Sequence, residues 1–396
     1  MSETGDREPE RLARVALGSL GEPGDPRMAS LVAQLGAVAV HDHLARERDP
    51  GHGMLADVAL RLAATQPARD LEQADRDGIR FVVPGDDEWP ARLDDLMSAG
   101  LLHGRGGPPL GLWVKGPLRL DELEESVAVV GSRSATYQGS SAASEIAARV
   151  ARAGYTVISG AAFGIDHAAH RGALAAAGRT VAVLACGVDR SYPKAHHKLL
   201  EHLGETTAVV SELGPGRSPT PSRFLTRNRL IAALARGTVV VEAAIRSGAL
   251  NTATWASRLH RPLMGVPGAV NAAQSEGVHQ LLRTGAATLV TNGEEVLEML
   301  GPSGEHLATR RRARSRPRDD LPERQRLVLE AVPLHSPAGS DAISRTAGVG
   351  LLETQSTLNR LQAGGFVEHT PRGWVINDDE GAHSAAKSRE VPTIDP

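Results

Sequence analysis

Cysteine occurs once in 396 residues, at Cys186, which excludes an internal disulfide framework and fits a reducing compartment. Cys186 follows the apolar run 180–185 and precedes Gly187, so it reads as a small buried residue rather than a nucleophile. Aromatic residues make up only 3% of the chain, so base-stacking platforms are scarce and any polyanion would be gripped through its backbone. No apolar run approaches the roughly 18 residues of a membrane span, and the polar Ser2–Arg7 opening does not read as a signal peptide. The expectation is a cytoplasmic protein without membrane contact. An excess of one charge is missing too: 44 basic against 47 acidic residues leave a net charge of −3. Local clusters must therefore carry any argument for a polyanion ligand. Neither G-x-x-x-x-G-K-[ST] nor G-x-G-x-x-G is present, and no cofactor is expected.

What the chain does have is a strand that ends in a small loop. Val127–Val130 is a buried apolar run, and Gly131-Ser132-Arg133 then leads into a helical pattern over 140–153. A loop between strand end and helix start offers free N–H groups and the positive end of the helix dipole. Gly131 permits close backbone approach, Ser132 adds a hydroxyl, and Arg133 is suited to bidentate phosphate binding. The plan repeats one unit later in Val157–Gly172, with Ser159-Gly160 and Gly164 before a helix opened by Asp166. Gly160 is assigned to backbone approach to the ligand; Gly164 is left open between that role and turn geometry, and Asp166 reads as a helix cap.

The pattern alternates strands and helices throughout the middle of the chain. Strands are expected at 127–130, 155–158, 180–185, 207–210, 238–242, 262–266 and 287–290. Helices are expected at 140–153, 166–177, 194–203, 225–236, 248–259, 275–284 and 293–300. Continuous apolar strands between amphipathic helices mean an α/β fold, a Rossmann-like parallel sheet covered on both faces. Its ligand crevice lies at the carboxyl ends of the strands. The segment 108–116 reads as an edge strand because of Pro108 and Pro109. The expected divisions are a helical region over 1–78, the α/β domain over 79–302, a basic linker over 303–320, a winged-helix order over 321–378 and a polar tail over 379–396. The linker's six arginines, from Arg310 to Arg318, read as a solvated run with non-specific polyanion contact as its functional version. The helix at 351–362 lacks a basic stripe, so weak DNA contact and protein docking both stay open.

Further anion-site candidates follow. Lys194 stands at a third strand–loop–helix junction, its charge either a solvated surface lysine or part of a cationic rim with His196 and His197. Arg227, Asn228 and Arg229 open a helix; successive residues turn by about 100°, so at most two face one ligand. Arg227 and Arg229 are favoured, with Asn228 orienting a loop through its amide. Ser247, Gly248 and Thr252 lie at another helix start. Glu242 is open between a catalytic carboxylate and a group that orders Arg229 or a loop amide. His167 and His170, with Asp166, have helical spacing but no third recognisable ligand motif, and no metal site is expected.

In order and spacing these segments, together with Ser211-Glu212-Leu213, Phe224, Val239–Glu242, Ser247–Ala253 and Val266-Pro267-Gly268, resemble the DprA/Smf family of bacterial DNA-processing proteins over about 79–300. The resemblance implies a non-enzymatic, sequence-independent binder of single-stranded DNA that protects incoming strands during natural transformation and loads RecA onto them. It also implies a homodimer, displacement of single-strand-binding protein, and a SAM-like or helix-hairpin-helix N-terminal domain. That family usually has a different pair where this chain has Ala249 and Asn251, so those two side chains are not assigned. The rival readings are a phosphoribohydrolase of the lysine-decarboxylase-like group and a nucleotide sensor. The Pro-Gly-Gly-x-Gly-Thr-x-x-Glu signature of that enzyme group is replaced here by the Thr238–Ser247 sequence.

Overall fold

Apolar runs of four or five residues become strands because both of their faces can be buried, and the sheet shows this directly. The computed structural model describes residues 7–46, 54–302, 304–306 and 317–377. Five helices come first: α1 (Glu8–Leu20), α2 (Pro26–Leu35), α3 (Ala37–Arg46), α4 (Met54–Ala63) and α5 (Pro67–Arg76). Asp25 caps α2 by accepting from the Arg27 N–H at 2.9 Å, with Pro26 at the first helical position. Ala13, Ala16, Leu17, Leu20, Val32, Val40 and Leu62 close a small core among these helices.

The strands that follow are β1 (Ile79–Val82), β2 (Leu112–Lys115), β3 (Ser126–Val130), β4 (Thr156–Ser159), β5 (Thr180–Val183), β6 (Ala208–Ser211), β7 (Gly237–Val240), β8 (Leu263–Gly265) and β9 (Thr288–Leu289). They form one sheet in the order β1-β2-β6-β5-β4-β3-β7-β8-β9. The run from β6 to β9 is parallel, whereas β2 is antiparallel to both β1 and β6. The segment 108–116 therefore does not supply an edge, as its prolines implied. Pro108 and Pro109 precede the paired residues Leu112–Lys115 and remove no ladder donor. The actual edges are β1, which lies under α5, and the two-residue β9. Arg11 of α1 donates to the Phe81 carbonyl of β1 at 2.5 Å.

Between strands come α6 (Tyr137–Arg152), α7 (Ile165–Ala175), α8 (His197–Thr206), α9 (Pro221–Leu234), α10 (Gly248–Arg258), α11 (Glu276–Arg283) and α12 (Gly293–Leu300). Side chains alternate across each strand, so β3 splits its residues between two layers. Ala128 and Val130 pack with Leu230, Ile231 and Trp255 of α9 and α10. Val127 and Val129 pack with Ile146, Val150, Ile165 and Leu297 of α6, α7 and α12. This is the sandwich that the α/β alternation predicted, with element bounds within a few residues.

Residues Met1–Ala308 form one compact unit and Thr309–Pro396 a second. The N-terminal helices therefore belong to the same unit as the sheet. The second unit holds α13 (Glu323–Glu330), α14 (Ser340–Ala347), α15 (Leu351–Ala363) and the hairpin β10 (Val367–Thr370) with β11 (Gly373–Ile376), around Val328, Ile343, Leu358, Leu361 and Trp374. The arginines from Arg310 to Arg316 and the tail from residue 378 lie outside the described residues.

Candidate nucleic-acid interface

The chain climbs from β3 through β4 and β5 to β6 on one flank, then returns to the other side of β3 as β7. Connections leave β3 and β7 in opposite directions, and a crevice opens at their carboxyl ends. Gly131 stands at that point. A Cβ there would lie 2.6 Å from Cγ1 of Ile165 and 2.8 Å from the Glu242 carbonyl, so only glycine lets the three loops close. Ser132 N–H donates to the Glu242 carbonyl at 2.7 Å, and Ile165 N–H donates to the Ser132 carbonyl at 3.1 Å. Gly164 takes φ +76°, and a Cβ there would meet the Ser132 carbonyl at 2.2 Å, so its glycine answers turn geometry and close packing together. On this braced base Arg133 is exposed, with its guanidinium carbon 4.8 Å from the centre of the Phe224 ring.

Glu242 is buried at the switch point, and both its carboxylate oxygens accept from Thr136: one from the backbone N–H at 3.0 Å, the other from the hydroxyl. Thr136 in turn caps α6 by accepting from Gly139 N–H at 2.9 Å. Of the roles open to Glu242, the structure places it in ordering a loop amide. Arg229 is tied elsewhere.

Beneath the crevice Arg227 and Asp166 are both buried. Arg227 donates to the Val183 carbonyl at 2.7 Å and fills the space where a Cβ on Gly160 would stand, 1.8 Å from Nη1. Burial pushes the Arg227 guanidinium down to about 10; nearby Asp166 opposes that shift and Arg133 adds to it. Burial pushes the Asp166 carboxyl up, against the pull of Arg227 and the N–H groups it accepts from. Asp166 accepts from Gly160 N–H at 3.2 Å and Ala162 N–H at 3.4 Å, so it organises the loop ahead of its helix. The glycine at 160 is thus required by Arg227, and its N–H is already engaged.

Several sequence candidates turn inward. Ser159 donates its buried hydroxyl to the Val129 carbonyl at 2.7 Å. Arg229 is 0% exposed, donating to Glu212 at 2.7 Å and to the Gly107 carbonyl at 3.0 Å. Asn228 is buried and donates to the Gly248 carbonyl at 3.1 Å, the loop-orienting bond expected of it. Thr252 is buried as well. Ser247 caps α10 by accepting from Ala249 N–H at 3.2 Å, while Gly248 is exposed and a Cβ there would meet nothing within 4 Å. No packing within the fold requires glycine at 248, which leaves that helix start open to a ligand. Lys194 is exposed.

His196 was expected on a cationic rim, and the structure corrects this. It is buried, stacks on His167 with ring centres 4.3 Å apart, and its Nδ1 lies 2.9 Å from the Ala161 carbonyl. His170 is wholly buried, with Nδ1 2.7 Å from the Thr180 hydroxyl. Among the described residues no group of three or more His, Cys, Asp or Glu is arranged to hold a metal. Among the described residues no helix is long and apolar enough to cross a membrane.

Composition hid one feature. In a chain so poor in aromatics, Phe163 is 49% exposed, Tyr192 45% and Tyr137 89%. Tyr192 also packs against Phe224, ring centres 5.4 Å apart, which joins it to Arg133. A count of rings could not show this arrangement, although Phe163 lies inside the Val157–Gly172 loop and Phe224 is among the residues that carry the family resemblance.

A sequence profile described as DNA recombination-mediator protein A matches residues 80–301. The chain is 41% identical over 385 residues to the DNA processing protein DprA of Mycobacterium tuberculosis (strain ATCC 25618 / H37Rv), covering 96% of this chain and 98% of that protein. It is 39% identical over 212 residues to DprA of Streptococcus pneumoniae (strain ATCC BAA-255 / R6), 54% of this chain and 71% of that one. The X-ray structure of DprA from Streptococcus pneumoniae matches the fold with a TM-score of 0.60 at 31% identity, over 72% of this chain and 96% of that chain.

Proposed function

The chain belongs to the DNA recombination-mediator protein A family, and from that premise we propose that its switch-point crevice binds single-stranded DNA without regard to sequence. The observation that carries the reading is the exposed Arg133 guanidinium held over Phe224 at the meeting of three braced loops. Arg133, the Gly131–Ser132 loop, the open start of α10 at Ser247-Gly248 and exposed Lys194 supply phosphate contacts. The Asp166–Arg227 pair shapes the floor. Phe163, Tyr192 and Tyr137 offer ring faces on which any base can stack. Phosphate contacts and stacking carry no base code, which is the physical meaning of sequence independence.

Binding of oligo-dT and of duplex DNA across a salt series tests this. Arg133→Ala should weaken every single strand about equally and flatten the salt slope by about 0.7 for each phosphate no longer neutralised. An Arg133→Ala protein that binds oligo-dT as wild type does, with the same slope, would move the site elsewhere.

The reading extends to a cytoplasmic homodimer that protects single strands, displaces single-strand-binding protein and loads RecA. Its assay is RecA filament assembly on a strand already coated with single-strand-binding protein. The protein is proposed not to catalyse. Glu242 is engaged by Thr136, which argues against the phosphoribohydrolase alternative. Release of free adenine from AMP, abolished in Glu242→Gln, would reinstate that enzyme.

A further inference from the structure

The loop that carries Phe163 is held from two sides. Asp166 accepts the N–H groups of Gly160 and Ala162 from below. His196 holds the other side. Ala161 takes φ +52°, a left-handed conformation that a residue with a Cβ enters only at a steric cost. The His196 Nδ1 lies 2.9 Å from the Ala161 carbonyl, and because a carbonyl only accepts, this nitrogen carries the proton. The His196 ring, 5% exposed, meets Phe163 edge-on with centres 4.8 Å apart and stacks on the His167 ring at 4.3 Å. Burial, together with His196 and Arg171, holds the His167 pKa below its ordinary value, which favours an uncharged partner in the stack.

We propose that His196 is a positioning residue for the single-strand contact. It fixes the Ala161–Gly164 loop so that Phe163 stands outward as a stacking face for a base. Hydrogen bond, stack and edge contact all come from one buried ring on a different loop, so the exposed Phe163 is aimed by a residue that touches no DNA. The inference rests on the crevice being the single-strand site.

The test compares a dT homopolymer with a strand of equal length made of abasic sites, which keeps the phosphates and removes the bases. Wild type should prefer the dT strand by about fivefold or more, the scale of one stacked base. His196→Phe retains a ring but has no N–H for Ala161. It should lose about fivefold of that preference, the share of the one base on Phe163, while its affinity for the abasic strand stays within about twofold. His196→Asn places an amide N–H near the former Nδ1 and should restore the preference. Phe163→Ala, a change at a half-exposed side chain that leaves the core intact, should by itself lower the preference by about fivefold, the share of one stacked base, leaving what Tyr192 and Tyr137 supply.

An unchanged preference in His196→Phe or in Phe163→Ala overturns the proposal. Equal loss of both affinities in His196→Phe reduces His196 to a structural part of the fold and overturns it too. Wild type that binds both strands equally overturns the role of Phe163 alone. Wild type that binds neither strand overturns the crevice reading on which this rests.

Discussion

Replacing Arg229 by Met should unfold this protein more readily and leave single-strand affinity unchanged in the molecules that stay folded. Arg229 is enclosed, and its guanidinium bonds the Glu212 carboxylate and the Gly107 carbonyl. Methionine fills much of the volume but supplies no donor, leaving a mostly buried carboxylate without its counter-charge. Removing one partner of such a pair costs about 3–5 kcal/mol. A unit of about 300 residues unfolds with an entropy of roughly 0.6 kcal/mol per kelvin, so the melting temperature should fall by about 5–8 °C. Adding Glu212→Gln to Arg229→Met should recover more than half of the loss, because the stranded charge is then gone. Scanning calorimetry measures the first quantity. Titration of labelled oligo-dT, well below both transitions, measures the second. An Arg229→Met protein with a wild-type transition and lost DNA binding would refute the argument, since the arginine would then reach ligand rather than brace the fold.

Other expectations follow from the same geometry. Gly160→Ala drives a methyl into the Arg227 guanidinium, 1.8 Å from Nη1, and should cost about 3 kcal/mol as overpacking against a buried charge; a melting temperature within a degree of wild type would contradict it. Burial pushes His170 down from 6.5 to about 3, with His167, His196 and Arg227 adding to the shift. The fold therefore prefers the neutral ring, and the stability this gives is complete above pH 6.5 and drains as the unfolded chain takes up a proton on acidification. The loss should reach about 2 kcal/mol at pH 5, and His170→Asn should flatten that acid limb in a pH series of thermal melts; an identical limb would assign the proton elsewhere. Chains ending after Leu300 and after Asp320 should both keep most single-strand affinity, the shorter one with a shallower salt slope because six arginines are gone. Loss of binding in both would place the main DNA site in the second unit.

The sheet and its helices were legible because two-sided burial writes continuous apolar runs, and those runs are not ambiguous in length. The carboxyl-terminal edge of the sheet was legible for the same reason, since Gly131, Gly164 and Ser247 end strands or start helices. Which polar side chains reach that edge was not. The rotation argument allowed two of Arg227, Asn228 and Arg229 to face one side, yet α9 is buried without a break from Thr226 to Leu234. That stretch has no wet face, so Arg227 and Arg229 resemble surface residues in sequence while serving as internal struts. His196 misled similarly: next to exposed Lys194 it looked cationic, but its partner is a carbonyl on another loop. The prolines at 108 and 109 marked the approach to a strand rather than its place in the sheet.

The ends of the sheet decide how readily another strand can add to it. A strand edge with free carbonyls and N–H groups is a template onto which other chains polymerise. Here one edge, β1, is only four residues long, and the Arg11 guanidinium already occupies the Phe81 carbonyl. The other edge, Thr288–Leu289, is only two residues long and gives an incoming strand almost no ladder to follow. The nine hydrogen-bonded strands thus offer an incoming strand little free ladder at either end of the sheet.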